Sequence, residues 1–407
     1  MDEEYIYIML PIYDNHLKPK DIQLRYTLLP SEEHRINDSL YYYLNEMKHM
    51  IEHRREWGKY KTFTNPYEFI HTPYDNIHFL TTFSPVSRSF FKLIEIQKMM
   101  ELIDMKKQSI QTLHLAEGPG GFIEAMKYLR KNNEKDKYTG ITLQSRDASV
   151  PKWTKLKEKY INDVSILYDN LKDDTGNLYH VDNFIDFVER YKRRMYIITA
   201  DGGFDFSVNY KNQEHSVLRL LITQTVYAIM AQMKGGTYIM KVFDISSQAT
   251  IDILFLLNTF YEEIYICKPF TSRFANSERY VICKQFRYRN VDAFYDTFVT
   301  LLREMDNNKD FSIHRILNIP IQDIFIKRLE VINSIIGQNQ IENINSTLML
   351  MDNSERNDTI EYNKKINLGK CIRWCNHHDI EYTPIQKINI FSKQVCKDPE
   401  FMKQDEE

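Results

Sequence analysis

The stretch from Ile110 to Lys131 reads IQTLHLAEGPGGFIEAMKYLRK and predicts the fold of the chain. A strand-like segment, Ile110 to Ala116, leads into the glycine-rich run Glu117 to Phe122, and a helical pattern follows as far as Lys131. Because glycine has no Cβ, this turn lets a ligand approach the backbone, and the next helix offers free N–H groups. The run is not GxGxxG and lacks the lysine of a phosphate loop, which argues against a dinucleotide or ATP site. In isolation it could be a simple turn, but between a strand and a helix it predicts a cofactor site.

Strands and helices continue to alternate after this turn. The segment Met195 to Ala200 reads MYIITA, as expected of a strand buried on both faces, and it ends at Asp201. A helix of about Glu214 to Met233 follows and is predicted to stop at Lys234-Gly235-Gly236. The other predicted strands are Tyr138 to Leu143, Thr237 to Val242 and an antiparallel pair, Glu263 to Lys268 and Arg279 to Lys284.

This alternation predicts an α/β fold class with a largely parallel sheet and flanking helices. In open sheets of this class, ligands collect at the carboxyl ends of the strands. Gly118, Asp201 and Lys241 each stand at or just after such an end, so we expect them to face one crevice.

The segments outside the alternation predict additions to the α/β domain. A mixed helical stretch runs from Ser39 to Trp57, and a helix from Ser87 to Met105 introduces the domain. The predicted parts are a helical N-terminal extension at 1–64, the α/β domain at 65–290, a mostly helical C-terminal region at 291–395 and a disordered tail at 396–407.

Composition sets broad limits on the function. With 407 residues, 43% of them hydrophobic, the chain can bury a sizeable core. The net charge is only −3, so any nucleic-acid site must be a local basic patch. Five cysteines, an odd number, favour a reducing compartment, and neither a signal-like start nor an apolar run of about 20 residues is visible. We expect a soluble intracellular protein without a membrane partner, with nucleus, cytoplasm and a viral factory or virion left open.

Four charged residues are candidates for a functional role, although each could also have an ordinary structural role. Asp201 follows a strand, where an aspartate often only caps a turn. Lys241 ends the apolar segment IMKVF, so lost hydration should lower its pKa towards that of a base, unless the side chain reaches solvent at the sheet rim. Lys92 and Glu278, taken alone, read as surface charges.

Several short sequence motifs occur in the same order, and next to the same predicted strands, as in a known family. They are Asn65-Pro66-Tyr67-Glu68, SRSFFK at 87–92, EGPGGF at 117–122, ADGGF at 200–204, Asn212-Gln213-Glu214, MKVFD at 240–244 and KPFTSRFANSERYV at 268–281. On these motifs, residues 65–290 resemble the FtsJ-type RNA ribose 2'-O-methyltransferases, and within them the mRNA cap-1 methyltransferase branch. The resemblance implies a Rossmann-like sheet of the methyltransferase type.

The same resemblance implies a Lys-Asp-Lys-Glu tetrad whose roles fall on Lys92, Asp201, Lys241 and Glu278. S-adenosylmethionine is the implied cofactor. Since its methyl group is already carried on a sulfonium, the protein must align the ribose 2'-oxygen and assist its deprotonation. Lys241 is then the base or the oxyanion stabiliser, Asp201 and Glu278 orient it, and Lys92 adds to the electric field.

Cofactor contacts are implied at the glycine-rich turn and at neighbouring strand ends. The family places Gly-Asp-Ile or Gly-Asp-Leu near the adenine, whereas this chain offers Gly176-Asn177-Leu178, so Asn177 can hydrogen-bond there but not as a carboxylate. The implied contacts are Glu117, Gly118, Pro119, Gly120, Gly121, Phe122, Thr142, Leu143, Asn177 and Asp201.

RNA contacts are expected from cations and amides, which bind phosphates, while bases stack on aromatic rings. Arg88 and Arg273 could equally be salt-bridge formers. Tyr67, Tyr210 and Glu214 are weak candidates for clamping a methylated guanine. The residues expected to bind RNA are Arg88, Asn212, Glu214, Ser272, Arg273, Asn276 and Arg279.

No metal site is predicted. The run Cys371 to His378 holds two cysteines and two histidines, but a single C-x3-C with adjacent histidines is not a usual zinc set, and a helix with buried thiols explains it.

The resulting hypothesis is methyl transfer from S-adenosylmethionine to a ribose 2'-hydroxyl, on the first transcribed nucleotide of capped mRNA. The expected partner is the capped 5' end of mRNA, in association with other capping or transcription proteins. Two alternatives stay open: the same reaction on ribosomal or transfer RNA, and a non-catalytic methyltransferase-like subunit that binds RNA or a partner enzyme. The segments before residue 65 and after 290 make a minimal ribosomal-RNA enzyme the weaker choice.

Overall fold

The fold is taken from a computed structural model. It describes residues 5–13, 17–27, 35–52, 54–74, 78–147, 150–203, 213–353 and 356–384. Asn212, Tyr210 and the tail at 396–407, for which the sequence makes predictions, lie outside these ranges.

Within the described ranges the chain forms two sheets. The strands are β1 (Ile6–Met9), β2 (Ile22–Thr27), β3 (Gln111–Leu115), β4 (Lys137–Ile141), β5 (Ile166–Tyr168), β6 (Met195–Ala200), β7 (Gln232–Val242), β8 (Tyr261–Lys268), β9 (Arg279–Phe286) and β10 (Ser312–Leu317).

Helices surround the larger sheet and extend beyond it. They are α1 (Asp38–Glu52), α2 (Trp57–Thr64), α3 (Ser89–Met100), α4 (Gly121–Leu129), α5 (Thr154–Lys159), α6 (Val181–Tyr191), α7 (Gln213–Ala231), α8 (Gln248–Phe260), α9 (Tyr295–Asn307), α10 (Asp323–Asp352) and α11 (Arg356–His377).

The larger sheet has the order β1-β8-β9-β7-β6-β3-β4-β5. From β5 to β7 all neighbours are parallel, whereas β9 runs antiparallel to both β7 and β8. This arrangement confirms the predicted α/β class, the Rossmann-like sheet and the antiparallel pair. The strand order reverses at β3, so the switch point of the sheet lies beside the glycine-rich turn.

Pairing in the sheet brings four strand ends to one level. Leu115 of β3 pairs with both Ile141 and Ala200, and Ala200 pairs in turn with Met240 of β7. These four side chains are fully buried, because the central strands are covered on both faces. The residues that follow them in the chain therefore emerge together at the carboxyl edge.

One prediction for this region was wrong. The run Lys234-Gly235-Gly236 does not end a helix: α7 stops at Ala231 and passes directly into β7. Gly235 has a φ of +77°, and the pairing of β7 with β6 shifts register between Met195 and Ile197, so the run lies in an irregular part of the strand.

The N-terminal extension contains strands as well as the helices that the sequence predicts. Ile6–Met9 adds an antiparallel strand at the β8 edge of the main sheet, and Ile22–Thr27 pairs with β10 in the small sheet. Both pairings join segments far apart in sequence, which local patterns do not record. The predicted boundaries near residues 64 and 290 stay predictions.

The terminal additions pack on one another and on the α/β domain. Met47 of α1 forms an apolar cluster with Ile344 and Leu348 of α10, and Trp374 of α11 packs edge-on against Phe91 of α3. Among the described helices, none is both long and apolar enough to cross a bilayer.

Candidate active site

The carboxyl edge of the sheet carries the charged residues singled out from the sequence. Asp201 follows the last residue of β6, and Lys241 stands at the corresponding level of β7, paired with Tyr280 of β9. Lys92 comes from α3, and Glu278 immediately precedes β9. Residues from distant parts of the chain thus meet at one edge.

Lys241 and Asp201 form the first pair. Lys241 Nζ lies 3.3 Å from Asp201 Oδ1 and donates to the backbone oxygen of Asp201 at 2.6 Å. Tyr280 donates its hydroxyl to Asp201 Oδ1 at 2.8 Å. The carboxylate is therefore held between an ammonium and a phenol.

The pKa of Lys241 is raised, not lowered as predicted from its apolar strand. Burial alone lowers it, but the carboxylates of Asp201 and Glu278, with the hydrogen bond to Asp201, outweigh burial. Lys241 is consequently an ammonium at neutral pH in this structure.

Lys92 and Glu278 form the second pair, with Lys92 Nζ 2.6 Å from Glu278 Oε1. Ser272 donates its hydroxyl to the same carboxylate oxygen at 2.7 Å. Although burial acts in the opposite direction, the cations Lys92 and Lys241 hold the pKa of Glu278 well below its usual range. Burial lowers the pKa of Lys92 despite its carboxylate partner. Both side chains are almost fully enclosed.

The two pairs act on each other. Both carboxylates influence the pKa of each lysine, and the Lys92 ammonium lies 6.0 Å from the centre of the Tyr280 ring. The structure therefore brings Lys92, Asp201, Lys241 and Glu278 into one cluster of alternating charge.

A cavity of about 750 Å³ opens beside this cluster. Its volume lies in the range of roughly 300–1,000 Å³ that is usual for small-molecule sites. Residues from every predicted group line it: Gly118, Thr142, Leu143, Asn177, Asp201, Lys241, Arg273, Asn276 and Glu278.

The comparisons with known proteins agree with this geometry. A family model described as FtsJ-like methyltransferase matches residues 85–286. The chain contains an FtsJ-like methyltransferase domain.

Relatives of the FtsJ-like domain share moderate identity. Cap-specific mRNA (nucleoside-2'-O-)-methyltransferase 2 of Drosophila melanogaster is 31% identical over 220 residues, covering 51% of this chain and 31% of that protein. The protein of the same name from Pongo abelii is 25% identical over 324 residues, which cover 76% of this chain and 41% of that protein. Among solved structures, a Plasmodium falciparum protein assigned as a ribosomal RNA methyltransferase is 24% identical, with a TM-score of 0.35, covering 50% of this chain and 99% of that one. The chain thus spans well under half the length of these two curated relatives.

Two glycines of the FtsJ-like domain allow backbone segments at the cavity wall to pack closely on one another. A Cβ on Gly118 would lie 2.4 Å from the backbone oxygen of Pro151, and one on Gly176 would lie 2.0 Å from that of Thr142. Gly176 also has a φ of +63°, which disfavours other residues. The Gly118 N–H donates to Thr142 Oγ1 at 3.2 Å, which ties the turn after β3 to the end of β4.

FtsJ-like methyltransferases bind S-adenosylmethionine, and the residues present fit it. Glu117 accepts from the Phe122 N–H through Oε1 at 2.6 Å, while its buried Oε2 has no partner among the described residues. Burial and then Asp201 raise the pKa of this carboxyl. A buried carboxyl oxygen without a partner beside a glycine turn suits an amino group such as that of the cofactor.

Of the predicted cofactor turn, Gly118 lines the cavity. Glu117, Pro119, Gly120, Gly121 and Phe122 are absent from the described lining. Gly120 has a φ of +108° and packs against Leu156, so it shapes the turn.

Asn177 lines the cavity through a turn of its own. Its Oδ1 accepts from the Tyr179 N–H at 3.0 Å, and its Nδ2 lies 3.0 Å from His180 Nε2. Its amide is therefore already engaged within the turn.

Three of the predicted RNA contacts have structural partners instead. Glu214 is buried and accepts from the N–H groups of Ser246 and Ser247 at 3.0 and 2.8 Å, so it caps the start of α8. Arg279 is buried and donates to Asn333 Oδ1 at 2.8 Å. Ser272 is fully buried and positions Glu278. Burial gives these three residues structural roles in this structure, and their RNA-binding roles stay predictions.

Two of the other predicted RNA contacts, Arg273 and Asn276, line the cavity. Arg273 lines it and binds Glu68 through two nitrogens, and Arg88 donates to the Thr271 backbone oxygen at 3.1 Å. Tyr67, considered as a base clamp, is buried and stacked on Phe270 at 4.9 Å. Arg273 thus combines a salt bridge with a place in the cavity wall, whereas Arg88 contacts the backbone and is absent from the described lining.

Lys268 is a buried cation that the sequence did not single out. Its Nζ donates to the backbone oxygens of Asn276 and Glu278, each at 2.7 Å, and to Asn276 Oδ1 at 2.8 Å. Burial lowers its pKa well below the usual range. Lys268 holds the segment that carries Glu278 and occupies the amide oxygen of Asn276.

The cavity wall also includes Lys48, Trp57, Lys61 and Gln340, which sequence reasoning missed. The i, i+4 spacing of Trp57 and Lys61 places them on one helical face. Nothing in the local pattern indicates that this face meets the active site.

Proposed function

We propose that this protein transfers a methyl group from S-adenosylmethionine to a ribose 2'-hydroxyl of RNA, on the first transcribed nucleotide of capped mRNA. The observation that carries the proposal is the position of Lys241 between the carboxylates of Asp201 and Glu278. Lys241 lines the same cavity as Gly118 and Gly176.

The reaction requires the protein mainly to align the two reactants and to stabilise the charge that develops on the ribose oxygen. When bound, S-adenosylmethionine would supply a methyl group already activated on a sulfonium, with a neutral thioether as the leaving group. The ribose 2'-oxygen donates a lone pair to form the new carbon–oxygen bond, and its proton leaves to solvent. Gly118 and Thr142 hold one reactant and the charged cluster orients the other, which reduces the entropic barrier.

Lys241 is the group we place against the ribose 2'-oxygen. Because neighbouring carboxylates raise its pKa, we assign it the role of an ammonium that orients this oxygen and stabilises its developing negative charge. Of the two roles open from the sequence, base and oxyanion stabiliser, the second is the better supported.

The remaining cluster residues set the position of that ammonium. Asp201 binds it directly, with Tyr280 fixing the carboxylate. Glu278 contributes a second negative charge, held in place by Lys92 and Ser272.

Capped mRNA is proposed as the substrate from the names of the relatives, which act as cap-specific mRNA methyltransferases. The additions before and after the FtsJ-like domain also line the cavity, as expected of a site that recognises more than a ribose.

The proposal is tested by methyl transfer from labelled S-adenosylmethionine to a short capped RNA and to the same RNA with a 5'-triphosphate. We expect transfer to the capped RNA alone. Equal transfer to both would overturn the cap assignment and favour ribosomal or transfer RNA, whereas RNA binding without any transfer would favour a non-catalytic subunit.

A further inference from the structure

The cavity extends beyond the FtsJ-like domain. Lys48 and Ile51 come from α1, Trp57 and Lys61 come from α2, and Gln340 comes from α10. All of them lie outside residues 85–286. The terminal additions therefore build a second wall of the same cavity.

Trp57 gives this wall a flat aromatic surface. It packs beside the cluster of Met47, Ile344 and Leu348 and remains partly exposed at the cavity. The other two tryptophans, Trp153 and Trp374, are only 3% and 4% exposed. Trp57 is thus the indole placed to meet a ligand in this cavity.

Lys61 adds positive charge four residues further along α2. Within the described part of the chain, its ammonium has no hydrogen bond or ion pair. Its charged neighbours are Arg273, Glu68 and Arg88, three cations in all against one carboxylate. Burial, followed by Arg273, lowers its pKa, which is the signature of a partly desolvated cation in a positive surrounding. An anion would relieve this imbalance.

Gln340 adds a hydrogen-bond acceptor without a partner. Its Nε2 donates to the Ala275 backbone oxygen at 3.1 Å, which fixes the direction of the amide. Its Oε1 is buried and has no partner among the described residues, although the side chain is only 1% exposed and lines the cavity. Ala275 lies three positions before Glu278, so this acceptor is tied to the segment that carries the catalytic candidate.

An aromatic face, a free cation and an unpaired acceptor are the elements by which proteins bind a single unstacked nucleotide. We propose that α2 and α10 form a nucleotide pocket for a residue of the RNA substrate next to the methylated one. Its base stacks on Trp57, an N–H on its edge donates to Gln340 Oε1, and its phosphate contacts Lys61. This inference rests on the proposed function, since it assumes an RNA substrate.

Tryptophan fluorescence tests the pocket directly. Titrating the wild-type protein with a short capped RNA should quench its emission, and Trp57→Phe, which retains an aromatic side chain, should remove that change because Trp153 and Trp374 are buried. Quenching by the capped RNA but not by its 5'-triphosphate counterpart assigns the pocket to the cap guanosine. Quenching by both assigns it to a transcribed nucleotide, and either result supports the pocket.

Steady-state kinetics provide a second readout. Since stacking and phosphate contacts bind ground state and transition state alike, Trp57→Ala and Lys61→Gln should each raise KM for RNA by about fivefold or more, with kcat nearly unchanged. Lys59→Gln is the matched control, because Lys59 lies on the same helix, is exposed and is absent from the described lining.

The two proposals fail in different ways. Wild-type KM in both variants, together with quenching that survives in Trp57→Phe, would overturn the pocket and leave the proposed activity intact. If the wild-type protein transfers no methyl group, the proposed function fails and the titration alone decides: RNA-induced quenching that is lost in Trp57→Phe supports the pocket, and its absence in the wild type overturns it.

Discussion

Lys241 illustrates what a sequence can and cannot reveal about a single residue. Its place at the end of an apolar strand follows from the pattern IMKVF, and the structure confirms it. The direction of its pKa shift does not follow, because that depends on two carboxylates brought in from β6 and from the segment before β9. The same limit explains Glu214 and Arg279, whose buried partners come from distant segments.

Removing the Lys241 ammonium should abolish most of the activity. Loss of one group that stabilises a developing oxyanion typically costs about 100- to 1,000-fold in kcat, and we expect Lys241→Ala to fall in that range while RNA and cofactor still bind. Single-turnover transfer together with equilibrium binding measures both. Lys234→Ala, at the exposed end of the same strand, should behave as the wild type.

The pH dependence separates the two roles considered for Lys241. Because its pKa is raised, an ammonium role keeps this group fully active from about pH 7 to 9, and kcat should be nearly flat with respect to it. A base role would instead make kcat rise about tenfold per pH unit in that range. If kcat of the wild type rises in this way and kcat of Lys241→Arg does not, the ammonium role assigned to Lys241 is contradicted.

Ser272 provides a test of positioning against RNA binding. Its hydroxyl donates to Glu278 Oε1, so Ser272→Ala should lower kcat by about tenfold, in keeping with the loss of one hydrogen bond to a charged group, and leave KM for RNA unchanged. A raised KM with normal kcat would restore the RNA-binding role predicted from the sequence.

At the scale of elements, local patterns predict the central α/β alternation well. Met195–Ala200 is predicted to the residue, and α3, α4, β3 and β4 differ from prediction only at their ends. The missed strands are β1, β2 and β10, which exist through pairing with remote segments, and the three-residue edge strand β5. The helix-to-strand passage at Gln232, where Gly235 lies inside a strand, was also missed. Pairing partners, not propensity, decide these elements.

Glu214 joins two of these elements, since it lies on α7 and caps the start of α8. Glu214→Ala leaves the N–H groups of Ser246 and Ser247 without their acceptor, and we expect the free energy of unfolding to fall by about 2 kcal/mol. Denaturant titration measures this, with the exposed Glu262→Ala as control. Unchanged stability with weakened RNA binding would contradict the capping role.

At the scale of the whole molecule, buried Glu95 connects the domain to the C-terminal region. Lying on α3, it accepts from the Thr271 N–H at 3.1 Å and from Trp374 Nε1 of α11 at 3.4 Å. Burial, only partly opposed by these hydrogen bonds, raises its pKa to about 7. The helix that carries Lys92 and the segment leading to Glu278 are thus joined through a carboxyl that resists ionisation.

Glu95 should make stability depend on pH. Its pKa in the folded state lies above its ordinary value, so its contribution is full below about pH 4.5 and is lost as the pH rises through about 7. The difference in unfolding free energy between wild type and Glu95→Gln should fall by about 1.4 kcal/mol per pH unit within that window. A difference that rises with pH would contradict the shift.

We therefore propose that the chemistry takes place at the sheet edge and that the additions around it recognise the substrate. The most direct test is to find the methyl group after transfer to capped RNA, by nuclease digestion and mass spectrometry. We predict a single 2'-O-methyl group on the first transcribed nucleotide, absent with Lys241→Ala. A methyl group on a base, or an unaffected product from Lys241→Ala, would contradict the account.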